Sequence, residues 1–124
     1  MIPQLQLFII TLYLLICWHA LADFPLQGQY LSDAKSPATN VGKQAWKWAL
    51  PYHAMIHSLG VYLITGSFIL ALVEIVLHMR IDYLKCMNRL TLNQDQAMHV
   101  FCKVIYAIVM VLWLPNHPHP FGFL

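Results

Sequence analysis

From Leu5 to Phe24 the sequence carries no charged side chain until Asp23. A run of about 20 apolar residues is what crossing a hydrocarbon core about 30 Å thick requires. That stretch constrains the fold more than any other feature, because a helix that is apolar all round has no face to offer water. Two more long apolar stretches follow, Pro51 to Met79 and Gln94 to Leu114. Hydrophobic residues make up 60% of the 124 and charged residues 10%, against roughly 45–50% and 25% in soluble domains, so lipid is the expected solvent. A formal net charge of +2 is too small to point to nucleic acid, and none is expected as a partner. Ala20-Leu21-Ala22 fits a signal-peptide cleavage pattern, but no Lys or Arg precedes the apolar run, which argues against cleavage. The three cysteines, Cys17, Cys86 and Cys102, form no C-x-x-C pair and read as buried, reduced packing residues.

The expected fold is all-α: a polytopic membrane four-helix bundle forming a single domain over 1–124. Its helices fall at about 5–24, 51–64, 68–85 and 94–114. Pro25 to Val41 turns polar and reads as loop, and Lys43, Trp46, Lys47 and Trp48 read as a short amphipathic segment on the membrane surface between helices one and two. Thr65-Gly66-Ser67 supplies a turn that divides the middle stretch into two helices, the first only about 21 Å long at 1.5 Å per residue. Asn93 is the expected N-cap of the last helix, with Gln96 at the capping-box position, and Pro115 ends it. Lys35, Lys43 and Lys47 lie in one connection and Arg80, Lys85 and Arg89 near the other, so the positive-inside rule makes 25–50 a cytoplasmic loop and 115–124 a periplasmic tail. The expected location is the bacterial inner membrane, multi-pass, with both termini periplasmic.

Four times a His or Asp is followed four residues later by another: His19 and Asp23, His53 and His57, His78 and Asp82, Asp95 and His99. That spacing stacks both side chains on one helix face, and the topology carries all four pairs to the cytoplasmic side. Five imidazoles and three carboxylates are the ligand types suited to zinc first, then iron or manganese, enough for one metal with supporting groups or for two. A purely hydrogen-bonded structural network is the competing reading, and a proton or ion path a third. His117 and His119, on the opposite side, are not expected to join the site.

Asp23-Phe24-Pro25-Leu26-Gln27 after His19, His53 with Ile56-His57, His78 with Ile81-Asp82-Tyr83 and Lys85, and Asp95-Gln96 with His99 resemble, in order, the motif series of domain of unknown function 3307. The resemblance covers about Cys17 to Lys103. It implies a small multi-pass inner-membrane protein of undetermined activity, found in bacterial and bacteriophage genomes. The layout is more loosely similar to membrane-bound proteins suspected of being metal-dependent hydrolases, a likeness at the level of fold.

A metal at such a site lowers the pKa of a bound water and polarises a carbonyl or phosphoryl oxygen, so the expected activity is hydrolysis of an ester, amide or phosphoester at the cytoplasmic membrane surface. His19, His53, His57, His78 and His99 with Asp23, Asp82 and Asp95 are the candidate ligands. Asp23, Asp82, Asp95 and Lys85 are the candidate catalytic residues. Lys85 holds an anionic group such as a phosphate in this reading, or is simply an interfacial lysine. Gln96 is expected to cap a helix, and Glu74 needs a partner or a proton. No G-x-S-x-G, phosphate-cradling loop or H-E-x-x-H is present. The alternative from another class is a non-enzymatic phage or bacterial membrane protein that binds a host membrane partner in the envelope, its His/Asp pairs only locking helices together.

Overall fold

The computed structural model describes residues 3–113. Among them the chain is all-α, with five helices: α1 (Gln4–Asp23), α2 (Gly28–Ala34), α3 (Gly42–Thr65), α4 (Phe68–Cys86) and α5 (Leu92–Trp113). The four-helix polytopic bundle expected from the sequence is corrected by this count and by apolarity. Among the described residues two helices are long and apolar enough to cross a membrane, Gln4–Asp23 and the Leu92–Leu112 part of α5. In α4 the interruption is chemical, since Glu74, Arg80, Asp82 and Lys85 all fall within it. The expected tail 115–124, with Pro115, His117 and His119, lies outside the described residues.

The segment read as loop contains α2. Gln29 donates to Asp33 across one helical turn at 3.0 Å, a pairing that supports a short helix. Thr39 then fastens the end of α2 to the start of α3. Its hydroxyl donates to the carbonyl of Asp33 at 2.6 Å and accepts from the N–H of Gly42 at 2.9 Å.

Helix α3 starts at Gly42, so Lys43 to Trp48 form its opening turns and no separate surface piece exists. Pro51, read as a helix start, lies inside α3. It removes one hydrogen bond to the carbonyl four residues back, yet Ala49, Leu50, His53 and Ala54 around it are all buried, and that packing carries the helix through. His53 and His57 consequently sit mid-helix.

Gly66 ends α3 at φ 70°, its N–H bonded to the carbonyl of Tyr62 at 2.8 Å. A left-handed residue there favours glycine. Ser67 begins α4 by accepting from the N–H of Leu70 at 3.2 Å. At the start of α5 the cap differs from expectation. Thr91 accepts from the N–H of Gln94 at 3.2 Å and the Gln94 side chain accepts from the N–H of Thr91 at 3.0 Å. This is the reciprocal T-x-x-Q box, two residues earlier than Asn93 and Gln96.

The four long helices close a ring in which α1 and α4 each touch both α3 and α5, while α2 packs on α3. Leu15, Val61, Leu70 and Tyr106 form an apolar core, with Ile64, Cys102 and Val109 against it. Where α1 crosses α3, Gly60 leaves room for the ring of Trp18, which a Cβ would strike. The indole N–H of Trp18 donates to the carbonyl of Ile56 at 3.0 Å, so this tryptophan is a helix–helix contact.

Polarity is reversed relative to a water-soluble domain. Lys35, Glu74, Asp82, Asp95 and Lys103 are buried, while Leu5, Ile9, Phe68, Ile69, Val76, Phe101 and Leu112 are exposed. Charged groups are almost never fully buried in soluble domains unless paired, and large exposed apolar surfaces mark contact with lipid or protein.

Candidate metal centre

Each long helix contributes to one buried cluster. Helix α1 brings His19 and Asp23, α3 brings His53 and His57, α4 brings Glu74, His78 and Asp82, and α5 brings Asp95, His99 and Lys103; all are buried. Spacing of four residues sets the two members of each pair on one face, and the ring of helices turns those faces toward each other. The rings of His57 and His78 stack with centroids 3.8 Å apart, and His78 lies 4.3 Å from His99.

Three sets bring potential ligand atoms within 4.8 Å of one another: Asp23, His53, His57 and His78; His19, His78 and His99; and Asp82, Asp95 and His99. In the first, Oδ1 of Asp23 stands 3.3 Å from Nε2 of His53 and 3.2 Å from Nε2 of His57. Neither approach has hydrogen-bond geometry, so both imidazole nitrogens of His53, both of His57, Nε2 of His78 and Oδ1 of Asp23 are buried without a hydrogen-bond partner. A buried polar atom left so costs about 1–3 kcal/mol, and such groups in a native structure call for an explanation. A tetrahedral zinc with bonds of about 2.0–2.1 Å holds its ligand atoms about 3.3–3.4 Å apart. Asp23 Oδ1 stands at about that edge from both His53 and His57, and all four ligand atoms lie within 4.8 Å of one another, so the donor set can hold a divalent cation.

Other residues in the cluster are fixed by conventional bonds. Nδ1 of His78 lies 3.2 Å from Oε1 of Glu74, which also accepts from Nζ of Lys103 at 2.5 Å. Lys35 reaches in from the end of α2 and donates to Oδ2 of Asp82 at 2.5 Å. Nε2 of His99 is 3.3 Å from Oδ1 of Asp82 and 3.5 Å from Oδ1 of Asp95. Gln96 donates to Asp23 at 2.8 Å and to Asp95 at 3.2 Å, and faces Nε2 of His19 at 3.3 Å.

Gln96, expected as a cap, therefore ties α5 to α1 within the centre. Lys35, read only as a marker of sidedness, and Lys103 are buried counter-ions. Lysines carry no local mark of such a role. Glu74 has the partner it needs. Lys85 is half-buried and lines a cavity of about 60 Å³ with Asp23, Gln27, Lys35, Asp82, Asp95 and Gln96.

The cysteines stand apart. None belongs to any of the three sets among the described residues, and Cys17 is exposed. Burial pushes the Cys86 thiol above its ordinary range, which disfavours the thiolate a metal needs. The available ligands are nitrogen and oxygen, a set that suits zinc, iron or manganese.

Fold and site together define an all-α protein with an apolar exterior closed around buried imidazoles and carboxylates. A family model described as "Protein of unknown function (DUF3307)" matches residues 10–121, and the chain belongs to that family. No curated protein and no solved structure matches it.

Proposed function

We propose that this chain is a membrane-associated, metal-binding protein whose His/Asp centre locks its long helices together. The observation that carries this reading is the approach of Asp23 Oδ1 to His53 and His57 at 3.3 and 3.2 Å without hydrogen-bond geometry. Charge supports it. Asp23, Glu74, Asp82 and Asp95 are four buried carboxylates facing two buried ammonium groups, Lys35 and Lys103. The ionised carboxylates outnumber the ammonium groups, an excess of negative charge that favours a cation. Zinc fits best, with iron and manganese next.

Membrane association is supported by the apolar length of α1 and α5 and by the exposed apolar side chains. Asp23 ends α1 and Asp95 lies in the first turn of α5. If both helices cross the bilayer, their polar ends share one side, the lysine-bearing cytoplasmic side, and their other ends face the periplasm.

Hydrolysis is the second reading, favoured by the cavity that reaches Asp23, Asp82 and Asp95. A divalent cation held by Asp23, Asp82 or Asp95 would supply Lewis acidity there.

Elemental analysis of protein purified in detergent without chelators tests the proposal. Zinc, iron or manganese bound in whole-number ratio, and lost in His57→Ala, is the expected result. Metal-free protein whose thermal stability is indifferent to added zinc overturns it in favour of a purely hydrogen-bonded lock.

A further inference from the structure

We infer that Asp82, Asp95 and His99 form a second cation position, open toward the cavity beside Lys85, and that a phosphoryl oxyanion binds there. The inference rests on the metal-binding reading of the centre and adds to it a second ion and a ligand class.

The set Asp82, Asp95 and His99 shares no residue with Asp23, His53, His57 and His78. In it His99 Nε2 is hydrogen-bonded to Oδ1 of Asp82 at 3.3 Å and stands 3.5 Å from Oδ1 of Asp95 without hydrogen-bond geometry. Asp95 is 3% exposed and its Oδ1 has no hydrogen-bond partner, so a buried acceptor is aimed at the position. What differs is the ligand count. Four protein ligands close the first set, as in structural zinc sites, whereas three protein ligands leave a coordination position free, as in sites that take a further ligand.

That free position adjoins the cavity. Asp82 and Asp95 line it together with Lys85 and Gln27. At about 60 Å³ it has room for a few waters, at about 10–15 Å³ each, or for one small oxyanion. Oε1 of Gln27 is buried without a partner, and turning the amide presents its NH₂ group to an acceptor instead.

Electrostatics selects the ligand's sign. With a divalent cation in each position, the two cations and the two buried ammonium groups outweigh the four buried carboxylates and leave net positive charge next to the Lys85 ammonium. An anion is then attracted, and a phosphoryl group matches a metal ion and a lysine with its several acceptor oxygens. Without the second cation the three carboxylates lining the cavity repel the same anion.

The test uses the full chain in detergent, stripped with chelator and reloaded with zinc. Zinc per chain is read by elemental analysis, and binding of inorganic phosphate by calorimetry. Two zinc ions in the wild type and one in Asp95→Asn are expected. Phosphate should bind the zinc-loaded wild type, about tenfold or more weakly in Lys85→Ala, and not the stripped protein. One zinc in the wild type, unchanged in Asp95→Asn, overturns the second position while leaving the first intact. No zinc at all overturns the metal-binding reading itself. Phosphate held equally by stripped and loaded protein overturns the metal-dependent anion site. Should Asp95→Asn fail to fold, wild-type stoichiometry and Lys85→Ala still decide. Nanodiscs with phosphatidic acid, compared with phosphatidylcholine alone, identify the source: displacement of free phosphate by the former assigns the oxyanion to a lipid headgroup, and no displacement assigns it to a soluble phosphate.

Discussion

Oε1 of Glu74 lies 3.2 Å from Nδ1 of His78, one turn away on α4, and leaves Nε2 of the same ring buried without a hydrogen-bond partner. This fixes both the orientation of the imidazole and its tautomer, with the proton on Nδ1 and the lone pair on Nε2. Histidines that bind metals are commonly held in this way by a carboxylate behind them. Lys103, at 2.5 Å from the same Glu74 oxygen, balances the carboxylate's charge in an interior where an unpaired ion is costly.

Glu74→Gln should therefore weaken zinc binding by about 10–100-fold, the range for loss of a group behind a ligand. Competition with a chromophoric chelator measures it. The variant also strands Lys103, so its stability should fall, and Glu74→Gln combined with Lys103→Met should recover part of the stability without recovering the affinity. Full affinity in the single variant would show that Glu74 does not position His78 for a metal.

Lys35→Met removes one member of a buried ion pair, since Lys35 and Asp82 are 4% and 2% exposed. Breaking such a pair from one side typically costs about 3–5 kcal/mol. Denaturant unfolding in mixed micelles should show a loss of that order in chelator-treated protein. Saturating zinc should shrink the loss, because a cation beside Asp82 replaces the missing ammonium. Equal losses with and without zinc would place the metal elsewhere.

The sequence makes some of this architecture readable and hides the rest for physical reasons. Positions four residues apart must share a helical face, so the proximity of His53 to His57 follows from spacing alone. The bend at Gly66 is readable too, because glycine is the residue that tolerates its backbone angle. Helix α2 is not, since Gly28, Ser32 and Asp33 are turn-forming residues and the helix depends on a Gln29–Asp33 bond and on Thr39 beyond its end. Pro51 misleads because a proline usually marks a helix start, and only the burial of its neighbours lets α3 pass through it. Lys35 and Asp82 are 47 residues apart. No local pattern predicts that one neutralises the other, and counting lysines for sidedness obscures it.

Gly60→Ala should destabilise the protein by about 1–3 kcal/mol, as overpacking does, because the added methyl meets the Trp18 ring. Trp18→Ala should also destabilise, by removing packing and the bond to Ile56. The double variant should be less harmful than the sum of the two, since the clash disappears with the ring. Thermal unfolding of the four proteins checks this, and strict additivity would deny the contact.

At the start of α5 the choice between two capping pairs is directly measurable. Thr91→Ala should cost about 1 kcal/mol, the usual loss of an N-cap side chain. Asn93→Ala should change stability by less than about 0.5 kcal/mol, as surface substitutions do. The reverse ranking would move the helix boundary to the one expected from sequence.

Stabilisation by zinc should depend on pH with a definite sign. Ligating imidazoles must be neutral and ligating carboxylates ionised, so binding competes with protons and releases them. Free imidazole titrates near about 6.5. The rise in melting temperature caused by zinc should then be full at about pH 7.5 and shrink as pH falls, because protons compete with the metal for its ligating imidazoles and carboxylates. A purely hydrogen-bonded lock predicts something else. Protonated imidazoles beside Asp23 and Asp82 would gain charge-assisted bonds, and mild acid would not abolish a zinc effect that was never there. Melting curves with and without zinc across that range separate the two, since a gap that closes toward acid requires the metal.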